Sequence, residues 1–169
     1  MAEPDSLPEP VQRVARALQA AAHTNLPVFL DAAARTAQQA AYQLGVALGQ
    51  IAKSIIFRRK SDDVAVLVIT SGDRRVDEHK VAGLVCTDGG KLGRADADFV
   101  KAKTGFSIGG VAPLGHTHPC VTLVDRELFR FAEIWAAAGH PHAVFKLTPA
   151  DLEKLTGAPV ADVVEAAVV

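Results

Sequence analysis

The stretch 51-IAKSIIFRRKSDDVAVLVIT-70 decides the fold. It holds two β-type runs, IAKSIIF and VAVLVIT, separated by the charged RRKSDD. Apolar runs of this length joined by a polar turn predict a hairpin with a loop longer than the tightest type. Strand periodicity puts Ile51, Lys53, Ile55 and Phe57 on one face, and Ala52, Ser54 and Ile56 on the other. Both faces are otherwise apolar or small, so Lys53 stands where a core side chain is expected. A buried ammonium is costly unless it is paired or faces a cleft. The pattern leaves two readings open. Lys53 either sits at the mouth of a pocket suited to an anionic or carbonyl-bearing substrate, or buries only its stem and reaches water.

Working outward, residues 1–10, MAEPDSLPEP, read as a flexible leader. Val11, Val14, Ala15, Leu18 and Ala22 then follow helical spacing. LPVFL contains Pro27 and predicts a short edge strand. Thr36-x-x-Gln39 is a capping-box pattern for a helix that Gly45 stops. Asp77 is expected to cap a helix through DEHKVAGLVC with Val81, Leu84 and Val85 on one face, and Asp96 one through DADFVKAKTG that Gly105 ends. CVTLVD and HAVFKL read as strands, whereas FAEIWAAAG fits strand or helix. Thr148-Pro149-x-Asp151 opens a last helix closed by Gly157, and PVADVVEAAVV ends as a strand or a frayed tail. No repeat or linker divides residues 11–169, which predicts one domain. Strands and helices mix without regular alternation, so the expected class is α+β with a curved, mostly antiparallel sheet.

Composition narrows the function classes. With 169 residues and 49% hydrophobic content the chain can bury a real core. No apolar run approaches a membrane span, and the acidic, proline-rich start is unlike a secretory leader, so a cytoplasmic protein is expected. Lys and Arg total 18 against 19 Asp and Glu. That balance argues against wrapping a long nucleic acid such as DNA, though not against touching a nucleic-acid end. Arg58, Arg59, Lys60, Arg74 and Arg75 form a basic rim if their segments meet; otherwise they are solvated turn charges.

A second stretch, 104-TGFSIGGVAPLGHTHP-119, carries the remaining chemistry. Paired Gly109 and Gly110 allow close approach of a ligand to the backbone, and Pro113 stiffens the residues after it. Such a loop can grip a carbonyl oxygen through its N–H groups, or simply turn. It lacks the Lys and hydroxyl of a phosphate loop and the spacing of a dinucleotide fingerprint. His116-x-His118 and His140-x-His142 offer four imidazoles, but they flank prolines in expected loops without partner carboxylates, so no metal is assigned. No cofactor motif occurs. Cys86 and Cys120 sit in no catalytic context, which leaves covalent catalysis without a candidate nucleophile.

In order along the chain, QIAKSIIF, DADFVKAKTGFSIGGVAPLG and TPADLEKLTGAPVADVV resemble the YbaK/ProX family of aminoacyl-tRNA deacylases. That family is related to the editing domain inserted in bacterial prolyl-tRNA synthetases, and the likeness spans roughly residues 24–165. It implies a mixed, barrel-like curved sheet with peripheral helices, and hydrolysis of the ester joining a wrong amino acid to the terminal adenosine of tRNA. The family's lysine falls on Lys53, and its Gly-x-x-x-Pro element on Gly109, Gly110, Val111, Ala112 and Pro113. Lys53 would anchor charge at the nucleotide end, the 109–113 backbone would hold the ester carbonyl, and water or a tRNA hydroxyl would attack. His116, Ala137 and Gly139 are further expected substrate contacts. The implied partners are an aminoacylated tRNA acceptor end and an aminoacyl-tRNA synthetase. DAAARTAQQ and Ala137 depart from better-known members, which leaves the edited residue open within a small class: Ala, Ser, Cys, Thr or an analogue. A non-catalytic module gripping the same tRNA end is the alternative.

Overall fold

The computed structural model describes residues 7–87 and 89–166. Helix α1, Glu9–Ala20, starts just inside the segment expected to be a leader, with Pro8 at its cap and Pro10 in its first turn. Residues 1–6 of that segment lie outside the described residues. The helix buries Val11, Val14 and Leu18, the stripe its spacing predicts. An edge strand β1, Val28–Phe29, leads to α2, Ala37–Leu44. Thr36 accepts from the Gln39 N–H, and Gly45 closes α2 at φ 68°. The Gln39 side chain accepts from the N–H of Arg35 at 2.8 Å, one residue before the cap.

The hairpin is present: β2, Ile51–Arg59, pairs antiparallel with β3, Val64–Ser71, without a break in register. Helix α3, Glu78–Val85, strand β4, Leu92–Arg94, and helix α4, Ala97–Thr104, follow. Asp77 and Asp96 cap their helices as expected. Of the predicted α3 face, Val81 is buried but Leu84 is 54% exposed, because a two-turn helix offers the core little more than one contact. After the glycine loop come β5, Val121–Asp125; β6, Ile134–His140; β7, Ala143–Leu147; α5, Pro149–Thr156; and β8, Val160–Ala161. The ambiguous FAEIWAAAG is therefore a strand. Ala136 and Ala138 are buried there, and the small side chains let α1 lie close upon β6.

The sheet corrects the expected architecture in one respect and refines it in another. It is open, running β1-β7-β6-β2-β3-β5-β8 with β4 added to β2, and does not close into a barrel. It is also mixed: β6 beside β2, β5 beside β3 and β8 beside β5 are parallel. The connection through α3, β4 and α4 is long enough to return the chain in parallel beside β3, a property that local alternation cannot reveal. The hairpin's two faces feed separate clusters. Leu67 and Ile69 pack with α1, Phe106 and Phe145, whereas Val66 and Val68 pack with Val81 and Leu123.

The basic rim does not form. Arg58 and Arg59 sit at the hairpin's turn end, paired with Asp63 and Asp62, while Arg74 and Arg75 follow the opposite end of β3.

Candidate active site

The site grows from a gap along β2. Its outer edge pairs with β6 at Ile51 and Ala52, and with β4 from Phe57 to Arg59. Between these, among the described residues, no strand covers Lys53–Ile56. A cavity of about 490 Å³ opens there, and side chains from both faces of β2 reach it because the edge is free. Its walls come from β2, the segment before α2, the glycine loop and the β6–β7 turn.

Lys53, half-buried, lines this cavity. Burial pulls its pKa below 10.5, and the carboxylates of Asp73 and Asp125 act against that shift. Lys53 is the cross-strand partner of Thr70, whose hydroxyl donates to Asp125 Oδ2 at 3.0 Å. Fully buried Asp125 also accepts the N–H groups of Ser71 and Glu127, each at 2.9 Å. Asp73 is held by Arg130 at 2.7 Å, which keeps its carboxyl below the usual range. The lysine therefore has neighbouring negative charge that is itself fixed by hydrogen bonds.

Of the loop, Gly109 and Val111 line the cavity; Ala137 joins them from β6. Gly110, Ala112, Pro113, His116 and Gly139 do not, and the structure gives several of them other work. The Gly110 N–H donates to Ser107 O at 3.0 Å, and a Cβ there would meet His140 N and Cα at 3.0 Å, so the loop is pressed against the end of β6. Gly139, at φ 98°, lets β6 approach α1: a Cβ would lie 2.7 Å from Pro10 O. His116 stands behind the loop, with Nε2 2.8 Å from Ala112 O and its ring edge-on to Phe106. Burial lowers its pKa, against the pull of that hydrogen bond and assisted by Arg13.

Three cavity residues escape sequence reasoning. His140 belongs to one of the H-x-H pairs, yet it lines the cavity, and its Nδ1 accepts the His142 N–H at 3.1 Å. In the neutral ring this leaves the proton on Nε2. Arg35 and Trp135 also form walls; their only signal is nearness to the capping box and to β6. Among the described residues no group of three or more His, Cys, Asp or Glu is gathered to hold a metal. Burial pushes the Cys120 thiol up to about 11, so it stays protonated near neutrality. No helix among the described residues is long and apolar enough to cross a membrane.

Comparison with known proteins places this geometry. Residues 31–155 match the model of the aminoacyl-tRNA editing domain. Uncharacterized protein YwhH of Bacillus subtilis is 34% identical over 126 residues, 75% of this chain and 78% of its own. A proline–tRNA ligase of Thermoanaerobacter is 31% identical over 94 residues, 56% of this chain but only 16% of the ligase. A crystal structure of a candidate trans-editing enzyme for prolyl-tRNA synthetase superposes with TM-score 0.86 at 41% identity, over 95% of this chain and all of the other. The hypothetical protein APE2540 superposes with TM-score 0.82 at 29% identity, covering 90% of this chain and 99% of that one. With the domain model spanning most of the cavity walls, the chain belongs to the aminoacyl-tRNA editing domain family.

Proposed function

We propose that this editing domain is a free-standing hydrolase that cleaves the ester of tRNA mischarged with a small amino acid, residues 11–169 acting as one domain in the cytoplasm. The observation that carries the reading is that Lys53 and Gly109 share the walls of one cavity at the open edge of β2. The cations Lys53 and Arg35 suit the anionic nucleotide end. The ester carbonyl lies against the Gly109–Pro113 backbone. Since the Gly110 N–H is already given to Ser107, that contact falls to the main chain on either side of it. Water or a tRNA hydroxyl attacks, in keeping with a Cys120 thiol that burial keeps protonated. Ala34, Ala37 and Ala137 make part of the wall apolar, and the small-residue class is what the family resemblance implies. The likeness to a candidate trans-editing enzyme supports a partnership with a synthetase.

A panel of mischarged tRNAs tests the proposal. Free amino acid should accumulate over many cycles from at least one small-residue tRNA, and Lys53→Ala should lower the rate on the order of a hundredfold. Tight binding without turnover would replace the enzyme by a tRNA-end binding module. Equal activity in Lys53→Ala would remove the lysine from the mechanism.

A further inference from the structure

The gap in the pairing of β2 exposes main chain as well as side chains. The register determines which groups it exposes. The Lys60 N–H donates to Lys91 O at 3.0 Å, on the β4 side of β2. At the other end Ser71, across from Ala52, turns its N–H away from β2 to Asp125 at 2.9 Å. In an unbroken antiparallel ladder the main-chain groups alternate between the two edges. Both observations therefore set the even-numbered residues of β2 outward and the odd-numbered ones toward β3. Ala52 meets β6 and Arg58 meets β4. Between them, Ser54 turns its N–H and C=O groups and Ile56 its N–H into the cavity, whereas the pairing of Phe57 with Arg94 sets the Ile56 C=O against the Ala95 N–H.

The side chains around the cavity sharpen what these groups can do. Among the described residues, the ionisable ones on its walls are Arg35, Lys53 and His140, with no Asp or Glu. An aminoacyl ester entering here carries an α-ammonium, which needs acceptors and is repelled by both cations. The carbonyl of Ser54 is an acceptor built into the wall. It lies in the plane of the sheet, whereas the Lys53 side chain stands off the face, which separates the two. That separation lets the anionic end of the substrate lie at Lys53 while the ammonium lies away from it.

We propose that the open edge of β2 is the recognition site for the substrate's α-amino group, with the Ser54 carbonyl accepting its N–H bonds. The inference rests on the deacylase reading and adds a selectivity to it: aminoacyl esters are distinguished from other acyl esters by main chain. No side-chain pattern in the sequence carries this signal.

The test uses two stable mimics of a charged tRNA end, 3′-alanylamino-3′-deoxyadenosine and its lactyl counterpart, which carries a hydroxyl in place of the ammonium. Binding to the protein is measured by titration, and the carbonyl 13C resonance of Ser54 is followed. The alanyl compound should bind at least about tenfold more tightly, and only it should shift that resonance. Binding of the two within twofold, binding of neither, or no shift at Ser54 overturns the proposal. If the alanyl mimic binds with the Ser54 shift but no mischarged tRNA is hydrolysed, amino-group recognition stands and the deacylase reading falls.

Discussion

Lys53 and Thr70 face each other across the β2–β3 ladder, and Thr70 continues the polar row by donating to the buried carboxylate of Asp125. Since Ile69 pairs with Val124, Thr70 and Asp125 are the next neighbours in the parallel register. Three adjacent strands thus place an ammonium, a hydroxyl and a carboxylate in line. The half-buried lysine gains a compensating field, and the carboxylate is held by donors from β3 and from the turn after β5.

Lys53→Met should abolish the substrate-charge anchor and raise the melting temperature near pH 7. Burial lowers the pKa of Lys53 from 10.5 in the fold, so the protonated form is penalised there. Between the lowered value and 10.5 the unfolded chain binds more protons, and wild-type stability rises with pH relative to the variant. The advantage of Lys53→Met should therefore shrink as pH climbs toward 10.5, and wild-type activity should decline over that window. Melting curves from pH 7 to 10.5 measure this; a variant less stable at pH 7 would count against it.

Asp125→Ala leaves the Thr70 hydroxyl and two buried N–H groups without their acceptor. The expected loss is about 3 kcal/mol or more by denaturant titration. Thr70→Val removes one donor and should cost only about 1 kcal/mol. Comparable losses in the two variants would contradict the central place of Asp125.

The glycines separate by what surrounds them. Gly139→Ala combines a positive φ with a 2.7 Å approach to the Pro10 carbonyl, and should destabilise by about 2 kcal/mol or more. Gly110→Ala presses on the backbone of His140 and should displace the loop, lowering kcat/KM more than it lowers Tm. Gly109→Ala has open space despite its φ of 91°, so strain of about 1 kcal/mol is all that is expected.

His116 sets an acid limb. Its folded pKa lies below 6.5, so stability is complete above 6.5 and is lost as pH falls below it, where the unfolded chain takes up the proton first. His116→Gln keeps a donor for Ala112 O and should flatten the Tm-against-pH curve in that window. An unchanged slope would assign the acid limb to other groups.

His140→Ala removes a wall of the cavity without touching the core of the sheet. A fall of about tenfold or more in kcat/KM with Tm little changed is expected, measured on the best substrate of the tRNA panel.

Much of the local structure is legible in the sequence. The alternation of IAKSIIF and VAVLVIT, the Thr36, Asp77, Asp96 and Thr148 caps, and the Gly45, Gly105 and Gly157 stops depend on neighbours within a few residues, and each appears where expected. WAAAG is undecided locally because alanine favours helix, and burial of the strand against α1 overrides that propensity.

For the site, the order of residues determined that a lysine would interrupt an apolar strand and that a glycine loop would follow a short helix. Tertiary structure alone decided that they meet. Parallel pairing of β6 stops at Ala52, β4 begins at Phe57, and the interval becomes a cavity floor where the outward-facing main chain of Ser54 meets no neighbouring strand among the described residues. It also set Gly139 against α1 and His116 behind the loop, outside the cavity walls, and His140 in the wall. The physical reason is one of range. Caps and alternation are set by contacts a few residues apart, whereas the end of a ladder and the lining of a gap depend on which distant strands arrive, in which direction, and where they leave.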